Sequence, residues 1–442
     1  MSERGVGPRP GNYSPIPASS AGGARFAPSP SEQLRPGSVR AFSAERLLLA
    51  AFRSLYALAG ATAVVAFCYL LGHSILEGIL SGNDIPWALS MVQWYNRWFP
   101  SLPTWFPLEG AGTPLLYLYP PGTSLLVVLV HRASGLTEIQ AFRLVGFLSV
   151  PIAGLGLYAL VWAKTKSQTA ALLAGLLYPL SSATWDWLTR IGLYAQSVTL
   201  LYVPWALLAF DAYLVRSLRK PTQRPGLGGR LAFAAAALLF AMLFVSHIPT
   251  ALVFLMAVSV YAALLPLFQR GASRPARVFL LSVGRAWAGV AAGVLLAAIW
   301  VVPWMHNNAL ANREGLSYIP AEMVSYYDFA KTFGLVAPEA TYRMTFATPV
   351  VILAAVGLVA GLVQWETPLL WGVISIASVL FVAMPGLWMG LVRVFAPLWS
   401  GTNDRAVLMA MLLMPATAAY GAHSVGRLIM ALPAKTASVL AR

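Results

Sequence analysis

Long apolar runs recur along the chain, and they restrict its fold more than any other feature of the sequence. A helix needs about 17–25 predominantly apolar residues to cross the hydrocarbon core of a bilayer. Runs near this length predict about ten membrane spans, within a range of 9–11. They lie at 47–72, 139–163, 168–184, 196–214, 231–246, 249–268, 284–303, 347–364, 368–390 and 406–430. The sequence therefore predicts an all-α polytopic membrane protein.

Composition excludes several other classes of protein. Hydrophobic residues make up 58% of the chain and charged residues only 10%, whereas a soluble domain carries about 25% charged residues. An outer-membrane barrel would show alternating segments of about ten residues instead of long apolar runs. The only cysteine, Cys68, rules out an intrachain disulfide and a cluster of thiolate metal ligands.

The net charge of +15 predicts an orientation in the membrane and not a nucleic-acid partner. Basic residues cluster at the ends of the apolar runs, chiefly at 164–166, 216–230 and 270–285 and near the C-terminus. Loops rich in Lys and Arg stay in the cytoplasm. We therefore expect a multi-pass protein of the cytoplasmic membrane with both termini in the cytoplasm.

The same pattern predicts three parts of the chain. Residues 1–45 are rich in Pro, Gly, Ser and Arg and predict a disordered, basic cytoplasmic tail. Residues 46–432 form one transmembrane domain with a large first extracytoplasmic loop at 73–138, and residues 433–442 form a short cytoplasmic tail. We interpret 114–131 as a re-entrant or interfacial helix, because a full crossing there would place the basic loops outside.

The stretch 82–122 of the first outer loop is unlike both a membrane span and an ordinary water-exposed loop. It contains seven Pro and four Trp residues. Proline breaks helices, whereas Trp and Tyr prefer the boundary between membrane and water. We therefore expect short helices and turns that lie on the membrane surface.

Three acidic residues of the outer loops are candidates for chemistry. Asp84 follows the first span directly in NDIP, where partial burial near the bilayer would poise its carboxylate as a base. Its structural alternative is to cap the helix that Pro86 begins. Glu109 and Asp186 are supporting candidates, although Glu109 is better explained as a solvated acid and Asp186 is equally explained as the ion-pair partner of Arg190. If these carboxylates converge, Asp84 and its neighbours would bind a divalent cation such as Mg²⁺ or Mn²⁺.

Cations near span ends are candidates for binding a phosphate group. A guanidinium is planar, permanently charged and suited to phosphate oxygens, and the outer arginines of this kind include Arg190, Arg343 and Arg405. Their structural alternative is snorkelling to lipid headgroups. His247, in FVSHIPTA at the end of a span, is either a substrate-binding group or a histidine satisfied by the backbone.

One span, then GNDIPWALSMVQWYNRWFP, then WFPLEGAGTPLLYLYPP, resembles the membrane protein family labelled 6-pyruvoyl-tetrahydropterin-synthase-related. That family is similar to the GT-C glycosyltransferases, which use polyprenyl-phosphate sugars outside the cytoplasmic membrane. The resemblance covers about residues 47–250. It implies an essential acid just after the first span, which is Asp84 here, and a second acid in the second outer loop, which is Asp186. This chain carries Asn83–Asp84 where the family pattern has two carboxylates.

The resemblance implies transfer of a sugar from a polyprenyl-phosphate donor to a hydroxyl of a glycan, lipid or protein acceptor. Asp84 would act as the general base, and the leaving phosphate would be held by Arg405, with Arg190 or Arg343 as alternatives. The cleft for lipid or sugar would be lined by Tyr117 and Tyr119, since apolar sugar faces stack on aromatic rings. The alternative is a non-catalytic protein of the same fold that binds a lipid carrier, transports it or serves as an assembly subunit.

Overall fold

The computed structural model describes residues 44–78, 82, 84–107, 119–219, 226–268, 275–308, 347–383 and 406–440. The chain divides into two units, Met1–Arg53 and Ser54–Arg442. In the first unit the described residues, 44–53, are helical, and the rest of the predicted tail lies outside the described residues. Everything below concerns the second unit.

Most of the described residues lie in α-helices. In chain order they are α1 (Ala44–Gly72), α2 (Ser74–Glu77), α3 (Ile85–Trp98), α4 (Gly122–Ser134), α5 (Glu138–Thr165), α6 (Gln168–Leu177), α7 (Ser182–Asp186), α8 (Tyr194–Thr199), α9 (Val203–Arg219), α10 (Leu227–Ser246), α11 (Ile248–Leu264), α12 (Pro275–Leu296), α13 (Ala298–Asn308), α14 (Thr348–Gln364), α15 (Leu369–Ala383) and α16 (Val407–Leu440).

Seven helical stretches of the described residues are long and apolar enough to cross a membrane. They are Ser54–Gly72, Glu138–Thr165, Tyr194–Leu218, Leu227–Ser246, Ile248–Phe268, Ala276–Leu296 and Val407–Ala431. Three apolar helices are shorter, namely Gln168–Leu180, Thr348–Gln364 and Leu369–Phe381. Each of these overlaps a predicted span, and the described residues contain no β-strand. The prediction of an all-α, multi-pass membrane protein is therefore confirmed.

One predicted span is wrongly placed in the sequence. The run 284–303 is divided between α12, which ends at Leu296, and α13, which begins at Ala298. Arg285 was interpreted as the charged flank of a span, but it lies inside α12 and its guanidinium donates a hydrogen bond to the carbonyl oxygen of Ser217. A charge that is satisfied inside the bundle does not mark the end of a helix.

Helix α4 overlaps the segment 114–131 that we predict to be re-entrant or interfacial. It spans 13 residues, Gly122–Ser134, and a helix of that length is only about 20 Å long. That is shorter than the hydrocarbon core of about 30 Å. Its placement relative to the bilayer stays a prediction.

Glycine lets α14 and α16 touch backbone to backbone. A Cβ atom on Gly421 of α16 would overlap the carbonyl oxygen of Leu353 and lie 2.7 Å from the amide nitrogen of Gly357 in α14. A Cβ atom on Gly357 would overlap the carbonyl oxygen of Thr417. Small residues at such crossings are what allow membrane helices to pack closely.

A buried ion pair joins three helices at the far end of α5. The Lys164 ammonium lies 2.5 Å from Oδ1 of Asp211 in α9, and both side chains are almost completely buried. The hydroxyl of Tyr261 in α11 donates to the same carboxylate oxygen. Each charge has a partner, as ionisable groups of a helical membrane domain require. The set is therefore structural, and the sequence alone does not reveal it, because the three residues lie 47 and 50 positions apart.

Candidate active site

The first outer loop is built on an amphipathic surface helix. Helix α3 buries Ile85, Ala88, Met91, Val92 and Tyr95, which recur at helical spacing along one face. These side chains form a hydrophobic cluster with residues of α4, α5 and the segment that follows α7. The loop is therefore fixed to the ends of the membrane helices by apolar contact, as the aromatic composition of this stretch leads us to expect.

A set of polar contacts fixes the C-terminal end of α3. The side-chain amide of Asn96 donates to Glu138 at the start of α5. Arg132 of α4 donates both to the side-chain oxygen of Asn96, at 2.7 Å, and to its carbonyl oxygen, at 2.8 Å. Asn96 thus connects α3 to α4 and α5. The sequence analysis missed this set, because nothing local relates the three residues.

Asp84 stands at the start of α3, in the N-cap position. Its side chain makes no capping hydrogen bond, with φ −93° and ψ −8° at this residue. The residue is exposed, whereas Ile85 directly after it is buried. The protein itself does not bury Asp84, because the buried face of α3 begins one residue later, and its burial near the bilayer stays a prediction. The predicted cap hydrogen bond is absent as well, so the Asp84 carboxylate accepts no hydrogen bond from the first turn of α3.

Two outer segments meet next to Asp84. A Cβ atom on Gly192 would lie 3.1 Å from the Cα and carbonyl carbon of Gly82 and 3.1 Å from Cγ1 of Ile85. Gly192 also has a φ of +83°, in the left-handed region that favours glycine. Only a residue without a Cβ fits this contact easily. The segment that carries Asp84 is therefore in contact with the segment that follows Asp186.

Asp186 is the last residue of α7, and its position is half-buried. The chain then makes a π-helical turn, Trp187–Ile191, which ends at Gly192. Single π-turns are rare and are frequent at functional sites. Leu188 within the turn is fully buried against the loop cluster. The structure thus brings the segments of Asp84 and Asp186 together, although it assigns no contact between the two carboxylates.

Two aromatic side chains of the predicted first outer loop are in contact. The rings of Trp87 and Tyr119 meet edge to face, with centroids 4.5 Å apart. Gly122 then fits against α10, because a Cβ atom there would lie 2.6 Å from the carbonyl oxygen of Val245 and 2.8 Å from Oγ of Ser246. The segment YPPG is therefore held against the end of a membrane span, and Tyr119 is fixed beside Trp87.

His247 follows directly after α10 and serves as the cap of α11. Its Nδ1 accepts a hydrogen bond from the amide of Thr250 and lies 2.8 Å from the hydroxyl oxygen of that residue. The side chain is buried. This geometry favours the structural interpretation of His247 over a substrate contact.

Several predicted site residues lie outside the described residues. They are Glu109, Tyr117, Arg343 and Arg405, and the side chain of Arg190 is likewise not described. Their roles stay predictions. Among the described residues no group of three His, Cys, Asp or Glu side chains is arranged to hold a metal ion. The described acids therefore do not by themselves fit the divalent cation that the sequence suggested.

Buried hydroxyl groups near this end of the bundle also escaped the sequence analysis. Thr123 of α4 and Ser197 of α8 are buried, and their side-chain oxygens have no hydrogen-bond partner among the described residues. The Tyr95 hydroxyl is buried in the same way, and burial raises the pKa of this phenol above its usual range. It stays neutral and can donate a hydrogen bond. Small polar residues are too common in sequences to be recognised as site candidates.

Known proteins match this chain in structure but not in sequence. No family model and no curated protein sequence matches the chain. The archaeal oligosaccharyltransferase AglB from Archaeoglobus fulgidus, solved with an inhibitory peptide and a dolichol-phosphate, is similar over 88% of this chain, with a TM-score of 0.54 and 12% identity. The fold is GT-C-like.

Two further structures of the Archaeoglobus fulgidus oligosaccharyltransferase are similar to this chain. The apo form is similar over 88% of this chain, with a TM-score of 0.51 and 13% identity. The form tethered to an acceptor peptide with the NVT sequon is similar over 84%, with a TM-score of 0.51 and 14% identity. Because the match covers 50–52% of those chains, this protein spans about half the length of its structural neighbours.

The contact between Gly192 and Gly82 predicts the effect of a single methyl group. We expect Gly192→Ala to lower the melting temperature more than Gly135→Ala, by an amount that corresponds to about 1 kcal/mol of unfolding free energy. Both glycines have positive φ, but a Cβ atom on Gly135 meets nothing within 4 Å. Both variants therefore carry the backbone strain, and only Gly192→Ala separates the two segments. Equal melting temperatures would show that the contact is not tight.

Proposed function

We propose that this protein is a membrane glycosyltransferase that moves a sugar from a polyprenyl-phosphate donor to an acceptor hydroxyl. The observation that carries the proposal is the contact of the two acid-bearing segments at Gly82 and Gly192 on a GT-C-like fold. Fold alone does not determine activity, so the proposal depends on the two carboxylates that these segments carry. The resemblance to the 6-pyruvoyl-tetrahydropterin-synthase-related membrane family belongs to this proposal.

The proposed reaction exchanges one bond to the anomeric carbon for another. The acceptor oxygen attacks that carbon, the bond from the carbon to the phosphate oxygen breaks, and polyprenyl phosphate leaves with the electron pair. Asp84 accepts the proton of the acceptor hydroxyl. An exposed carboxylate that makes no cap hydrogen bond is free to approach such a hydroxyl, which is the geometric requirement for a general base.

The remaining groups would position the two substrates. Asp186, on the neighbouring segment, would orient Asp84 or the acceptor, and Glu109 is a further candidate for this role. Negative charge develops on the leaving phosphate, and Arg405, Arg190 or Arg343 would stabilise it there. Asp84 would be a ligand if a divalent cation such as Mg²⁺ or Mn²⁺ bound at this site.

The donor would enter sideways from the lipid bilayer. In the similar AglB structure a dolichol-phosphate is bound, and a polyprenyl phosphate is the same chemical class of carrier. The edge-to-face pair of Trp87 and Tyr119 would border the cleft for the sugar or the first lipid units, together with Tyr117. The charge distribution along the chain supports a site on the outer face of the cytoplasmic membrane, with a glycan, lipid or protein as acceptor.

A transfer assay tests this function directly. Right-side-out vesicles from cells that express the protein are incubated with radiolabelled polyprenyl-phosphate sugars, and the organic and aqueous phases are separated. We expect label to leave the polyprenyl-phosphate fraction only in vesicles that contain the protein. Donor that is retained by the purified protein but never consumed, with a range of sugars and acceptors, would support the non-catalytic alternative.

A further inference from the structure

Two adjoining clefts open at the end of the bundle opposite Asp84. Helix α5 relates the two ends: Glu138 contacts the first outer loop, whereas Lys164 borders one of the clefts. At 1.5 Å per residue these positions are about 40 Å apart. One cleft has a volume of about 330 Å³ and the other about 600 Å³, and both are bordered by His423 and Arg427 of α16. The shared residues place the two clefts side by side, away from Asp84.

The smaller cleft contains one acid and one cation that are only loosely paired. A guanidinium nitrogen of Arg427 lies 3.9 Å from Oε1 of Glu366, and the two side chains are 59% and 41% exposed. Oε2 of Glu366 accepts a hydrogen bond from the Tyr420 hydroxyl at 2.8 Å. Arg427 makes no hydrogen bond to the described residues, so its five N–H donors are available. Lys164 differs, because Asp211 engages its ammonium.

A fixed aromatic wall borders the same cleft. Trp365 stacks on Phe268 with ring centroids 5.1 Å apart, and its indole nitrogen donates to the carbonyl oxygen of Leu267. Trp365 has a φ of +52°, in the left-handed region that is uncommon for residues other than glycine. This conformation belongs to the C-terminal cap of α14, where the Trp365 amide donates to the carbonyl oxygen of Gly361. Glu366, the next residue, is thereby held at the edge of the cleft.

The larger cleft has apolar walls and runs along two helices. Ala170 and Leu173 of α6 form one side, while Ala419, Ala422 and Met430 of α16 form the other. The small alanine side chains leave room that a larger residue would fill. Since α16 belongs to a membrane-spanning stretch, this groove is suited to a hydrocarbon chain that reaches it from the bilayer.

We propose that the two clefts together bind a phospholipid whose headgroup carries both a phosphate and a primary ammonium, such as phosphatidylethanolamine. The phosphate accepts hydrogen bonds from Arg427, beside His423, and the ammonium donates to Glu366. An acyl chain occupies the apolar groove between α6 and α16. A purely anionic headgroup offers no donor to the Glu366 carboxylate and places negative charge beside it, and a choline headgroup has no N–H group to donate.

Native mass spectrometry of the purified full-length protein tests this proposal. The protein is titrated with an equimolar mixture of dioleoyl phosphatidylethanolamine and dioleoyl phosphatidylcholine, and the two lipid-bound species are compared. We expect the ethanolamine lipid to be favoured about tenfold, the scale of one hydrogen bond to a charged group. If the unmodified protein retains the two lipids equally, the proposal is wrong.

Matched variants assign the two headgroup contacts. Glu366→Gln, which keeps an acceptor for Tyr420, should abolish the preference between the lipids, and Arg427→Gln should weaken both lipids to a similar degree. Arg277→Gln is the control, because Arg277 is exposed near the start of α12 and borders neither cleft. A parent-like preference in Glu366→Gln would contradict the assignment. Soluble phosphoethanolamine at the lipid concentration should displace nothing, and displacement by it would show that the groove binds no acyl chain.

Discussion

Replacement of Asp84 by asparagine is expected to lower sugar transfer at least about a hundredfold, the scale on which general base catalysis contributes. Asparagine keeps the size of the side chain and most of its hydrogen bonding but cannot accept the proton. Because the Asp84 side chain makes no cap hydrogen bond, the melting temperature should stay unchanged. The measurement is the initial rate of label transfer at equal amounts of folded protein.

The control for this prediction is Glu77→Gln. Glu77 is another exposed acid, in α2 just before the same segment, and it has no proposed role in transfer. Its variant should transfer at the parent rate, which excludes a general effect of removing negative charge at this surface. If Asp84→Asn also transfers at the parent rate, Asp84 has no part in the mechanism and the carboxylate is only a surface group.

The largest loss of stability is expected from one methyl group at the crossing of α14 and α16. Gly421→Ala places a Cβ atom in overlap with the Leu353 carbonyl oxygen and 2.7 Å from the Gly357 amide nitrogen. Both are backbone atoms, so no side chain can rotate out of the way and the helices must separate. Overpacking of this kind costs about 3 kcal/mol. Thermal unfolding of the detergent-solubilised protein measures the loss.

Gly426 provides the matched control in the same helix. A Cβ atom on Gly426 meets nothing within 4 Å, and alanine favours an exposed helix position by up to about 1 kcal/mol over glycine. Gly426→Ala should therefore keep or slightly raise the melting temperature. If Gly421→Ala behaved like Gly426→Ala, the two helices would not touch at this crossing.

The membrane architecture was predictable because the bilayer imposes a length on every span. Apolar runs show directly in the sequence, and the stretches found in the structure overlap them. The bounds of the run 284–303 were predicted wrongly, because apolar length alone does not show which charged residues lie inside a helix. Arg285 finds its partner at the Ser217 carbonyl oxygen, on a helix that is distant in sequence, and no local pattern records such a bond.

The candidate site was predictable only in part. Asp84 was recognised from its position just after the first span, and Asp186 was recognised as its counterpart in the second outer loop. Their segments meet because Gly192 adopts a positive φ and accepts the backbone of Gly82 at close range. A glycine in a sequence does not reveal which backbone it will meet. The exposure of Asp84 was missed for a related reason, since burial depends on neighbours supplied by other helices.

The ion pair of Lys164 and Asp211 has a consequence for how the chain is assembled during synthesis. A carboxylate in a membrane helix costs up to about 3 kcal/mol to insert alone, the full cost applying at the helix centre. Lys164 leaves the ribosome 47 residues before Asp211. Helix α5, with the Lys164 ammonium, is therefore made before α9 reaches the translocon. Tyr261 follows 50 residues after Asp211 and completes the set. Asp211 and Tyr261 thus each enter the membrane after a partner, whereas Lys164 enters first.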